Sequence, residues 1–95
     1  MSKSRVALLP VVQLDIPQLS QIHSAADASS FMEMITECAT VCKVTAVAIG
    51  FESFEQTFPP VFCHIALLGT MTQAEEFEQS VTTAALYMWR LGDHN

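Results

Sequence analysis

Residues 31–54 read FMEMITECATVCKVTAVAIGFESF, and the reading of this stretch decides the fold. Phe31, Ile35, Cys38, Cys42, Thr45 and Ile49 step by four and three in turn, with Met34, Val41 and Ala48 beside them, the spacing of one apolar stripe along a helix. From Val44 onward Val44, Val47, Phe51 and Phe54 build a second stripe on another face of the same helix. A helix apolar on two faces needs cover on both, and one partner helix from this chain covers only one. The pattern therefore predicts a third layer, most simply a second copy of the protein.

Outward from this stretch, Asp27 offers an N-cap and Ser30-Phe31-Met32-Glu33 has the form of a capping box, so the helix starts between residues 25 and 31. It fades between Gly50 and Gln56, and Pro59-Pro60 forbids continuation because each proline lacks an amide donor and restricts the residue before it. Residues 60–91 read as a second long helix with Gly92 as its C-terminal cap and Arg90 well placed in the last turn. Phe77, Val81, Ala84, Met88 and Leu91 share one register there, but Phe62, Ile65 and Leu68 do not fall on it. Gly69 and the capping-box sequence Thr72-Gln73-Ala74-Glu75 lie between them, so a kink or break near residues 69–72 is expected. Before the central helix, residues 15–23 read as a short helix with Asp15 as cap and Pro17 in its first turn. Residues 1–14 carry Pro10 and read as an extended apolar arm.

The expected fold is thus all-α: a single helical domain over residues 1–95, in which helices 25–55 and 60–91 form an antiparallel hairpin, joined by the short helix and the arm, and dimeric. Ninety-five residues with 51% apolar and 15% charged side chains leave a monomer much apolar surface to hide, which favours a homodimer or higher homo-oligomer. A net charge of −6, ten acids against Lys3, Arg5, Lys43 and Arg90, argues against nucleic acid and favours a protein partner with a basic surface. Val6–Val12 after Lys3 and Arg5 only faintly imitates a signal peptide, and Glu37, Lys43 and Glu52 interrupt the most apolar region, so neither secretion nor a membrane span is expected. Three cysteines cannot all pair within one chain, and reduced thiols in a cytoplasm are expected.

Candidate sites follow. Cys38, Cys42, Cys63 and His64 carry soft metal ligands, but the hairpin register separates Cys42 from Cys63 by roughly 14 Å at about 1.5 Å per residue, so neither a metal site nor a disulfide is expected. His23 and His64 lack an evident nucleophile or orienting carboxylate nearby in sequence, and no nucleophile elbow, phosphate loop or H-E-x-x-H occurs, so no enzyme and no cofactor are expected. Phe51, Phe54, Phe58 and Phe62 gather at the hairpin turn beside Pro59 and Pro60, where burial against the core is hardest. They form the candidate partner-binding surface, with Trp89 as a second anchor. Glu33, Glu37, Glu75, Glu76 and Glu78 form an acidic band that steers a basic partner or is simply a solvated face. The function these features imply is a small non-enzymatic regulatory protein that binds, and inhibits, another protein through the aromatic tip. The alternative is a helical dimer that binds a metabolite or nucleotide in a pocket lined by Met34, Cys38, Phe77 and Trp89, with Arg90 or Lys43 receiving an anion.

Overall fold

The structure, a computed structural model, describes residues 10–53 and 58–92, with side chains as far as Met88. Strand β1 (Val11–Leu14) leads through a 3₁₀ turn (Pro17–Gln21) into helix α1 (Ala25–Cys42), strand β2 (Thr45–Glu52), strand β3 (Phe62–Leu68) and helix α2 (Met71–Gly92). The strands form one antiparallel sheet in the order β1-β3-β2. Both β1 and β2 run against β3, so the β1-α1-β2 crossover straddles the strand that follows it, a split βαβ arrangement.

The expected all-α helical hairpin is therefore corrected: the protein is mixed α/β. The supposed central helix ends at Cys42 and the supposed second helix has a strand for its first third. Lys43 stops α1 by taking a left-handed conformation with φ of 61°, its N–H donating back to the carbonyls of Ala39 and Thr40. A lysine there gives no glycine signal to read. Beyond it, β2 pairs Ala46 with Leu67 and Ala48 with Ala66, leaving Val47 as an extra residue in a bulge. Val44 is buried, and Ala46, Ile49 and Phe51 are half-buried against the core. These positions step two, three and two, a mixture that a helical stripe fits as readily as a strand.

Capping fixes both helices. At α1, Asp27 N–H donates to Ser24 Oγ at 3.2 Å while His23 N–H donates to Asp27 Oδ2 at 2.9 Å. At α2, Gln73 N–H donates to Thr70 Oγ1 at 3.1 Å and Thr70 N–H to Gln73 Oε1 at 2.9 Å, a reciprocal capping box two residues earlier than the sequence suggested. Gln73 Nε2 also reaches the Lys43 carbonyl at 3.5 Å, tying the start of α2 to the end of α1. Gly69 leaves room beside this junction, since a Cβ there would lie 3.0 Å from Gln73 Oε1 and 3.1 Å from Val44 Cγ1 and would press on both side chains.

One hydrophobic cluster unites the layers. Val12 and Leu14 of β1, Cys63, Ile65 and Leu67 of β3, Phe31, Ile35 and Cys38 of α1, and Phe77, Val81 and Ala85 of α2 are all buried in it. Strand side chains alternate between faces, so these sheet residues define one face, and both helices cover it. Among the described residues no helix is long and apolar enough to cross a membrane.

Because Lys43 holds a conformation that costs a side-chain-bearing residue about 1 kcal/mol or more, Lys43→Gly is expected to raise stability by about 0.5–1 kcal/mol in urea unfolding. A loss of stability in that variant would contradict the assigned end of α1.

Candidate protein-interaction surface

The second face of the sheet has no cover from the described residues. Its rows follow from the strand register: Leu68 beside Thr45; Val11, Ala66 and Ala48 across all three strands, with Val47 bulged next to them; Gln13, His64 and Gly50; and Phe62 beside Glu52. Val11 is 63% exposed, Val47 51% and Leu68 43%, so these are apolar side chains in contact with water. Only Glu52 carries a fixed charge in these rows. A solvated sheet face ordinarily shows polar residues at such positions.

The end of this face at Phe62 joins the turn of the β2–β3 hairpin. The Phe62 ring meets the His64 imidazole edge-on, with centroids 6.1 Å apart and planes at 79°. Glu52 Oε1 lies 3.5 Å from His64 Nε2, which is shielded from water and has no hydrogen bond. Phe58, in the turn, is 45% exposed. Pro60 next to it is buried, which anchors the turn to the body of the protein.

The residues expected at the aromatic tip are thus divided by the sheet. Phe58 and Phe62 lie at the hairpin end, while Phe51 points the other way and packs on Phe31 with ring centroids 5.9 Å apart. Phe54 and the Trp89 side chain lie outside what is described. Glu33 and Glu37 are exposed on α1, and Glu75, Glu76 and Glu78 are exposed on α2, all in the helical layer on the side opposite the open sheet face. Glu33 and Glu37 border a shallow hollow with Ser29, Met32 and Thr36, and Glu75 and Glu78 border another with Gln79, Thr82 and Thr83. The open sheet face was missed at the sequence level. Its signal was present in FCHIALL, where apolar residues occupy both alternating sets, as they do when neither face of a strand is left to solvent alone.

The other candidates sit in the core. Cys38 is buried with its Sγ 3.8 Å from Met34 Sδ, and Phe77 is fully excluded from solvent, so these residues fill space rather than line a ligand pocket. Among the described residues, no group of three or more His, Cys, Asp or Glu side chains could hold a metal ion. Cys63 faces the core beneath the sheet, and burial pushes its thiol up to about 12. At neutral pH it stays protonated and is a poor nucleophile.

That burial has a pH signature. The unfolded thiol ionises near its ordinary value of 9.0 whereas the folded one holds its proton to about 12. The stability contributed by the neutral buried thiol is complete below pH 9 and is lost as pH rises from there toward 12. A Cys63→Ala variant, less stable at neutral pH, is expected to show a flatter decline of stability over that range in urea titrations. An equal decline in both proteins would contradict the burial of Cys63. Comparison of the chain with family models, with curated proteins and with solved structures yields no match.

Proposed function

We propose that this chain is a small non-enzymatic regulator that binds another protein through the end of its β2–β3 hairpin. The observation that carries this reading is Phe58: a large aromatic ring 45% exposed, in a turn anchored by buried Pro60. A turn held to the body of the protein loses less conformational freedom on binding than a free loop, so more of the ring's contact energy appears as affinity. Phe62 extends the contact along the sheet, and Glu52 adds an acceptor at its margin. The acids of the helical layer give the molecule a negative field that speeds encounter with a basic partner and adds less to affinity.

The buried Cys63 thiol, held protonated by its surroundings, favours a binding role over thiol chemistry. The ligand-pocket reading has less support, because Cys38 and Phe77 are packed into the core.

Phe58→Asp is expected to leave the unfolding midpoint nearly unchanged and to weaken partner capture from a native extract at least tenfold, the scale of an aromatic anchor worth about 2 kcal/mol. Phe51→Asp, by contrast, should destabilise the fold by about 2 kcal/mol or more, since it places a charge against Phe31. Capture of the same proteins by wild type and Phe58→Asp would overturn the assignment of the hairpin end.

A further inference from the structure

We infer that the middle of the open sheet face is the seat of a second copy of this chain, packed face to face about a two-fold axis near Ala66. Its occupant differs from that of the function proposed above, whose carrying residue, Phe58, lies in the turn beyond this face, although Phe62 and Glu52 belong to both surfaces. Gly50 points to it. Glycine in the interior of a strand weakens it, and here the protomer has no use for one: its φ is not positive, and a Cβ built on it meets nothing within 4 Å. A strand glycine accompanies a bulge, here the one at Val47 in the same strand, or marks a place where another backbone approaches closely, and the open space above Gly50 suits the second. Ala48 and Ala66, paired across β2 and β3 beside it, keep the same area low. Taller side chains, Val11, Val47 and Leu68, stand around these small ones.

Charge selects the occupant. With a net charge of −6, two copies repel unless they meet where the acids are not. Asp27, Glu33, Glu37, Glu75, Glu76 and Glu78 lie on the helices, and Asp15 and Glu52 lie at one end of the sheet, next to the row of Phe62. The opposite end, with Leu68, Thr45, Val11 and Val47, holds no acid among the described residues, and the exposed Lys43 stands two residues before β2 there. An antiparallel two-fold arrangement lays the acidic end of each copy toward the Lys43 end of the other, so Glu52 never faces Glu52 and the charges that approach are of opposite sign.

The area sets the strength. Three strands spaced about 4.8 Å apart and seven residues rising about 3.3 Å each cover roughly 14 by 23 Å in projection. Even with its rim this is below the ~800 Å² per partner of a standard interface, so the dimer is weak and dissociates on dilution.

Sedimentation velocity on the full chain, from 1 to 500 µM with reducing agent present, tests this. Wild type should pass from monomer to dimer over that range. Gly50→Val should remain monomeric while its unfolding midpoint matches or exceeds that of wild type, because the open space accepts a β-branched residue. Ala66→Glu should also remain monomeric with unchanged circular dichroism, and Val41→Glu, on the exposed outer surface of α1, should dimerise as wild type does. A wild type that stays monomeric throughout, or a dimer that survives both Gly50→Val and Ala66→Glu, would overturn the proposal. Loss of dimer in Gly50→Val with a lowered midpoint would count against it too, since the glycine would then serve the protomer.

Discussion

Strand β3 is paired along both of its edges, and its three inward side chains, Cys63, Ile65 and Leu67, are fully excluded from solvent. That double pairing is the constraint on which the rest depends. The hairpin brings β2 to one edge by local chain reversal. The other edge must be filled by residues far away in sequence, and β1 reaches it only because α1 carries the chain back across the sheet between β1 and β2. Pro10 is tolerated just before β1 because its carbonyl accepts from Leu67 N–H at 2.9 Å, and the one ladder donor it lacks falls outside the strand. Both helices then settle on the only face that offers Val12, Leu14, Ile65 and Leu67 together.

Among the described residues, cover on one side only leaves two unlike surfaces. The helical layer is acidic and well solvated. The sheet side is nearly uncharged and apolar, with small residues at its middle and aromatic rings at the hairpin end. The acidic side resists close approach of like surfaces, and the sheet side offers apolar area whose removal from water is worth about 25 cal/mol per Å² before the costs of association.

Much of the helical part was legible. The stripe of Phe31, Ile35 and Cys38 faces the core as its spacing implies, and so do Phe77 and Val81, because in these segments a single period of 3.6 fits and no other does. The region between them was not. Val44 to Phe51 contains a bulge that breaks the two-residue alternation, and Phe62 to Leu68 is apolar on both faces, so the period that distinguishes strand from helix is absent from one and masked in the other. The end of α1 at Lys43 gave no help, being a left-handed lysine where glycine or asparagine would have been expected. Pro59-Pro60 marked the turn but not the kind of elements it joins. The aromatic residues were read as one cluster for the same reason: in a strand Phe51 and Phe62 lie on opposite faces, whereas in a helical hairpin they would share a tip.

The most direct test of the account is residue-by-residue amide hydrogen exchange by NMR. The Leu67 to Pro10 hydrogen bond sets the phase of the β1–β3 ladder, so the N–H groups of Val12 and Leu14 point into the sheet and those of Val11 and Gln13 point to its free edge. Slow exchange throughout Cys63–Leu67, slow exchange at Val12 and Leu14, and fast exchange at Val11 and Gln13 is the predicted result. Uniform protection across residues 44–52 with helical carbon shifts, or no protection in 63–67, would contradict the central strand and everything argued from its open face.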